Sequence, residues 1–411
     1  MKKILLLLTA LFVIVTGCSS DNGGEPYAPY YNGGNNYNGG LTEPYADNGV
    51  PGDDTAAAYT GTGGVRLSFL AAGDNIIHES VFRDAARRAA PGQRFNFLPM
   101  YEGIAHLIAA ADIAFVNQES PIAASRQFYG FPNFNSPREA GDTLVELGFN
   151  IINFANNHML DMREVGFVES IEYWRTQPVT LLGVYTYDSF DDVTVIEREG
   201  ISIAFLTYTF GLNGMSLSPG SNFRIPLIND EDITRRVAIA KERADLVFVS
   251  MHWGNEHGHY QTNIISNEQR RLAQLMVDAG VDVIIGHHPH VLQDLRWVNR
   301  PDGGRTLIKY SLGNLISTMH PHRCMVGGLL TFDIVRENAD EQPTIENVRL
   351  IPIMTHYSMQ RDALQVYLLE DYTDELVAAH GSQLQGAFTM ADLHGHVTSV
   401  IPPEFLPDFL R

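Results

Sequence analysis

The chain has 411 residues, 45% of them hydrophobic, enough to bury one large core or two ordinary ones. Lys and Arg number 28 against 48 Asp and Glu, a formal net charge of −20, which argues against a nucleic-acid partner. An anionic substrate would therefore have to be held by local positive charge, and a metal ion supplies that.

The start, MKKILLLLTALFVIVTGCSS, places Lys2 and Lys3 before an apolar run from Ile4 to Val15. That run is too short to span a bilayer comfortably and reads as the apolar part of a secretory signal. Val15-Thr16-Gly17-Cys18 resembles a bacterial lipobox, in which Cys18 is lipidated and becomes the new N-terminus. The only other cysteine is Cys324, so a lipidated Cys18 leaves no intrachain disulfide to form. The expectation is an extracytoplasmic protein, lipid-anchored to the cell membrane. Residues 19–64 are rich in Gly, Asn, Tyr, Pro and Asp and cannot bury enough apolar surface to order themselves, so they read as a tether.

From residue 65 strand and helix signals alternate. RLSFLAAGDN and ADIAFVNQES read as strands that end in polar residues. NSPREAGDTLVELG predicts a helix with Ser136 as N-cap, Pro137 at the first helical position and Gly148 as stop. FNIINFA, VTLLGVYTY, ISIAFLTYTF, DLVFVSMHWG, VDVIIGHH and TLIKYSLGNLI are further strands. Between them SNEQRRLAQLMVDAG opens on a Ser266/Gln269 capping box, with Leu272, Leu275, Met276 and Ala279 on one face. Most strands are continuously apolar, as when both faces are covered, so the fold class is α/β over residues 65–355. After about Pro352 the pattern weakens. DALQVYLLED reads as a strand and TDELVAAHGSQL as a helix, and residues 356–411 are expected to pack on the main domain.

Residues able to bind metal recur where these strands end: Asp74, then Asn117 and Glu119, then Asn156, Asn157 and His158, then His252, then His287, His288 and His290. In an open α/β sheet functional groups gather at the carboxyl ends of strands, so five such clusters are expected to converge. Asp, Glu, Asn and His together suit a pair of divalent ions about 3.5–4 Å apart that activate water, with an uncoordinated His protonating a leaving group.

GDN, NQES, ANNHMLD, HWG, GHHPHV and YSLGNLI, in this order, resemble the CapA-like bacterial capsule-synthesis family, associated with poly-γ-glutamate and related in fold to calcineurin-like metallophosphoesterases. The resemblance implies a four-layer α-β-β-α sandwich. It also implies one or two divalent ions (Mn, Zn, Fe and Mg are not distinguished) held by Asp74, Glu119, Asn157, His252, His288 and His290. Glu119 would bridge the ions and His158 would be catalytic. The chain departs from the phosphoesterase pattern at Ile76, where a His is usual. His78 is either its substitute or an ordinary loop histidine. Met159 stands where an acid normally follows the catalytic His, and Asp161 either orients His158 or caps a helix. His287 is assigned to the surroundings of the ligands or to the turn itself, and Pro289 fixes the spacing of His288 and His290. Asn117 and Asn314 are further contacts to ligands or substrate, with a turn as the default for Asn314.

His257 and His259 beside Glu256 form a polar loop. His320, His322 and Arg323 read as a surface loop at the rim, Arg323 as an anion contact, and Trp253 as packing. The expected partners are the membrane, through Cys18, and an anionic capsule polymer or its synthesis and export machinery. Three functions stay open: a metal-dependent hydrolase or transferase acting on that polymer, a non-catalytic accessory protein of export with a retained metal site, and a general phosphodiesterase.

Overall fold

The computed structural model describes residues 64–254 and 261–411. The expected leader, Cys18 and nearly all of the tether lie outside the described residues, as do Glu256, His257 and His259.

In chain order the elements are β1 (Val65–Asn75), α1 (Glu79–Arg87), α2 (Ala105–Ala109), β2 (Ile113–Gln118), α3 (Arg138–Leu147), β3 (Ile151–Asn153), α4 (Arg163–Arg175) and β4 (Thr180–Leu182). There follow β5 (Tyr185–Thr186), β6 (Thr194–Arg198), β7 (Ile201–Thr209), β8 (Phe223–Arg224), α5 (Asp230–Arg243), β9 (Leu246–His252), α6 (Asn267–Ala279) and β10 (Val283–His287). The last are β11 (Leu295–Asn299), β12 (Arg305–Lys309), β13 (Asn314–Ile316), β14 (Val326–Arg336), β15 (Thr344–His356), β16 (Gln365–Leu368), α7 (Asp374–Ala379) and α8 (Met390–Thr398).

Two sheets carry the fold. The first runs β16-β15-β14-β1-β2-β3-β4, with β13 also paired to β1; the second runs β11-β12-β10-β9-β7-β6. In the first, β1, β2, β3 and β4 are parallel. In the second, β7, β9, β10 and β12 are parallel. Aromatic rings lock the sheets face to face: Phe69 meets Phe248 with centroids 5.3 Å apart, and Phe115 stacks on Phe205 at 6.5 Å. Val81, Ile108, Leu144 and Trp174 bring α1 to α4 onto the first sheet. Ile233, Val237, Leu272 and Met276 bring α5 and α6 onto the far side of the second. The result is helix, sheet, sheet, helix. That layering explains why β2, β9 and β10 are buried at every position.

Several boundaries differ from those the sequence predicts. In α3 the N-cap is Pro137, one residue later than expected, and the helix starts at Arg138. The Ser136 N–H is held by the Pro121 carbonyl at 2.8 Å, which keeps Ser136 in the incoming loop. VTLLGVYTY breaks into β4 and β5 around Gly183, at φ 91°. TLIKYSLGNLI breaks as well: β12 belongs to the second sheet and β13 pairs with β1 in the first. The α6 capping box and the left-handed Gly148 stop form as predicted, and α6 ends on a second left-handed glycine, Gly280. Residues beyond 356 are more than a packed tail, because β16 extends the first sheet by pairing with β15. No described helix is long and apolar enough to cross a membrane.

The crossing of β13 to β1 fixes the first strand end. Asp74 N–H donates to the Gly313 carbonyl at 2.9 Å, and a Cβ on Gly73 would sit 2.0 Å from that oxygen. Against β2, Ala72 pairs with Val116 and Asp74 with Asn117, so Gly73 is an extra residue. Such a bulge re-aims the side chain that follows it. Gly73→Ala should therefore force the two backbones apart and cost about 1–3 kcal/mol, read as a lower urea midpoint. A wild-type midpoint would refute the close approach.

Candidate metal centre

The parallel strands of both sheets deliver their carboxyl ends to one place. Asp74 is the last residue but one of β1, Asn117 lies in β2 with Glu119 just past it, Asn157 and His158 follow β3, His252 ends β9, and His287 ends β10 ahead of His288 and His290. All are buried.

Glu119 is at the centre. It stands 3.7 Å from His252 Nε2, 3.6 Å from His290 Nε2 and 3.9 Å from His158 Nε2. Neither carboxylate oxygen accepts a hydrogen bond from a described residue. Two groups of potential ligands share it, Glu119 with His252 and His288, and Glu119 with Asp74 and His290; in each, one donor atom per residue lies within 4.8 Å of the others. Asn157 joins the first group, its Oδ1 2.8 Å from His252 Nε2.

Asp74 is held from several sides. Asn117 Nδ2 donates to Oδ1 at 2.8 Å and the His288 backbone N–H to Oδ2 at 3.2 Å. His287 Nδ1 lies 3.2 Å from Oδ1, and His290 Nδ1 3.0 Å from Oδ2. Asn117 is itself fixed by Asn153, whose Nδ2 donates to its Oδ1 at 2.9 Å. Asn117 thus orients Asp74 with its amide nitrogen, while its oxygen is already used. His287 turns back against Phe115, stacked at 5.8 Å. Asn314 binds His290 Nδ1 through Oδ1 at 2.9 Å and ties to the Cys324 carbonyl through Nδ2, also at 2.9 Å. His288 and His290 adopt φ of 93° and 57°, left-handed values that turn both rings inward around Pro289.

Burial tends to raise Asp74, but contacts to His287 and His290 outweigh it and hold the carboxyl well below its ordinary range. Glu119 has no such help. Burial, reinforced by Asp74 and Asp161, pushes it well above the usual value. Burial first, then neighbouring imidazoles, holds His252 and His288 well below 6.5, so both are neutral, the form that can ligate a metal.

His158 and Asp161 form a unit. Asp161 Oδ2 lies 2.6 Å from His158 Nδ1 and accepts the Phe134 N–H at 2.7 Å. The α4 N-cap is Met162, so Asp161 is not the cap. The Phe134 ring packs edge-on to His158 at 4.8 Å.

His78 sits beside this cluster, taking the Thr318 N–H on Nδ1 at 3.3 Å. Burial, then His290, Arg361 and His158, pushes it down to about 3. It belongs to neither ligand group among the described residues. Ile76 and Met159 are both buried apolar residues. Asn156 spends its side chain on the loop backbone, donating to the Gln118 carbonyl and accepting from the His158 N–H, each at 2.9 Å. Trp253 packs, its Nε1–H bonded to the Tyr310 carbonyl at 2.9 Å. Three contributors carry no metal-binding signature in the sequence. Asn213 accepts from Asn157 Nδ2 at 3.0 Å and lies 3.3 Å from His158 Nδ1; Phe134 packs on His158, and Phe210 on His288 at 4.5 Å.

The donor set fits divalent metal. Two carboxylates are buried together, one lacks any hydrogen-bond donor among the described residues, and neutral imidazoles and an amide oxygen converge on it. Mixed nitrogen and oxygen donors of this kind suit Mn, Zn or Fe.

Comparison with known proteins gives this arrangement a family. Residues 68–319 match the family described as bacterial capsule synthesis protein PGA_cap. The PGA biosynthesis protein CapA of Bacillus subtilis (strain 168) is 29% identical over 223 residues, covering 53% of this chain and 56% of the relative. The capsule biosynthesis protein CapA of Bacillus anthracis is 34% identical over 191 residues, covering 45% and 44%. The chain thus spans about half the length of these curated relatives. Among solved structures, the calcineurin-like phosphoesterase YfkN from Bacillus subtilis aligns with a TM-score of 0.40 and 14% identity, over 70% of this chain and 90% of that one. With the match running through more than half of its residues, from β1 past β13, the chain belongs to the bacterial capsule synthesis protein PGA_cap family.

Proposed function

We propose that this chain is an envelope lipoprotein, anchored through Cys18, that acts in the synthesis, export or anchoring of an anionic capsule polymer such as poly-γ-glutamate. Its site would be that of a metal-dependent hydrolase. Family membership and the relatives' names support the polymer. The observation that carries the chemistry is the sharing of Glu119 by two ligand groups, with His158 Nε2 facing the same carboxylate.

Asp74, Glu119, Asn157, His252, His288 and His290 would hold one or two divalent ions. When bound, such ions supply a Lewis acid and a water of lowered pKa. The remaining roles belong to side chains. Asp161 on Nδ1 fixes the His158 tautomer, points Nε2 into the site and stabilises the imidazolium. His158 then gives its Nε2 proton to the leaving group. Phe134 keeps water from the flank of that ring and, through its N–H, keeps Asp161 in place.

A second reading, an accessory protein of polymer export that retains the metal for binding or stability, draws on Ile76, an apolar residue where phosphoesterases carry a ligand.

Glu119 separates a metal site from a merely polar core. A raised carboxyl pKa means that the fold keeps a proton which the unfolded chain loses above about 4.5, so its penalty grows as pH rises. Glu119→Gln should abolish stabilisation by added Mn²⁺ or Zn²⁺. In EDTA-treated protein at about pH 8 the same change should raise stability by about 1–3 kcal/mol. Urea midpoints with and without metal decide it, and a metal-free Gln variant weaker than wild type would refute the reading.

His158→Ala should leave metal content intact and lower polymer hydrolysis or release about 100-fold to 10,000-fold. Elemental analysis beside a release assay checks this. Unchanged release with metal retained selects the accessory reading.

A further inference from the structure

Arg323, expected at the rim of the site, faces a different place. A cavity of about 130 Å³ is lined by Asn263, Val291, Leu292, Arg323, Val326 and His396. Its polar wall comes from three separate segments: the loop before α6, the turn before β14, and α8. The Arg323 guanidinium is exposed and makes no ion pair or hydrogen bond among the described residues, in a chain of net charge −20. His396 Nε2 is buried without a hydrogen-bond partner there. Its ring is fixed against His322 at 4.9 Å, and His322 in turn stacks on Phe388 at 4.8 Å. The neighbouring acid, Asp392, is committed to its own helix cap, accepting from Thr389 N–H at 2.8 Å and Thr389 Oγ1 at 2.7 Å.

A guanidinium fork, an imidazole nitrogen and an amide around a small volume match a carboxylate. Val291, Leu292 and Val326 add an apolar lining suited to methylenes. The cavity also adjoins the metal centre. Val291 directly follows His290, and Arg323 precedes Cys324, whose carbonyl accepts from Asn314, the partner of His290. Met319 lies between, touched by Asn314 Nδ2 at 3.7 Å and by Gln261 Nε2, two residues before Asn263, at 3.8 Å.

We propose that this cavity is a carboxylate-binding subsite that grips a carboxylate on a short aliphatic stem, one unit along a polyanion whose chain continues to the metal centre. The identity of the polyanion rests on the function proposed above; binding of the carboxylate does not.

The test is a titration of the full, EDTA-treated protein with glutarate, followed by the histidine Cε1–H resonances and by calorimetry. Wild type should bind saturably in the millimolar range, with the His396 resonance moving. Arg323→Ala should weaken binding at least about tenfold and Arg323→Lys less, because lysine keeps the charge and loses the fork. Thermal melts matching wild type show that the variants fold. Loss of the fold in Arg323→Ala moves the comparison to His396→Gln, which should likewise weaken binding. Absence of saturation, wild-type affinity in Arg323→Ala, or a site that takes inorganic phosphate but not glutarate would each overturn the proposal. Metal is stripped beforehand, so failure here leaves the hydrolase reading standing, and a metal-free protein that still binds glutarate leaves the subsite standing.

Discussion

Two carboxylates buried in one place set the terms for everything around them. Asp74 is compensated by a backbone N–H, an amide and two imidazoles, whereas Glu119 has no hydrogen-bond donor among the described residues and is pushed towards its protonated form. A charge left in that state is among the most costly features a fold can carry. Nearby imidazoles do not relieve it, because burial keeps His252 and His288 neutral. A cation relieves it directly, and the same neutrality leaves the imidazole lone pairs available as donors. The fold thus maintains a cluster that is poor in stability terms without metal and well matched with it.

Holding such a cluster requires rigid strand ends, and the two sheets supply them by crossing over. The chain leaves β12 in the second sheet, turns through Ser311 to Gly313 and enters β13 beside β1 in the first. That turn closes on Gly73, places Asp74 beyond a bulge, and puts Asn314 behind His290. Ligands from different sheets are thereby tied through backbone contacts rather than through flexible side chains alone. Positioning of this kind tolerates little slack, since the donor atoms of each ligand group all lie within 4.8 Å of one another.

Much of this was legible in the sequence because burial on both faces leaves continuous apolar runs, and a polar residue ending such a run stands out. Asp74, Glu119, Asn157, His252, His288 and His290 were all visible as strand ends, and the structure brings them together. What the pattern hides is anything set by tertiary pairing. SLGNLI reads on smoothly from TLIKY, yet the two halves belong to different sheets, and no local periodicity marks the crossing. Asn213 and Phe134 reach His158 from loops whose composition says only turn. Asn117 was expected as a contact to ligands or substrate, and it braces Asp74; that use depends on Asn153, its register partner at the end of β3, where the apolar pattern runs on through Phe154 and Ala155.

The departures from the phosphoesterase pattern are unequal in consequence. Met159 removes an acid next to His158, but Asp161 N–H bonds to the His158 carbonyl at 3.1 Å, a tight turn that folds the carboxylate back onto the ring. The acid that reaches the imidazole thus comes from three residues on, not from the adjacent position. Ile76 has no comparable remedy. The nearest histidine, His78, spends Nδ1 on the Thr318 N–H and stands outside both ligand groups. On the side of His252 and His288, Asn157 adds a fourth donor residue, while the side of Asp74 and His290 stays at three with Glu119 shared. The asymmetry between the two candidate ligand groups follows from the chain itself: Ile76 is a buried apolar residue that adds to the core and offers no donor atom.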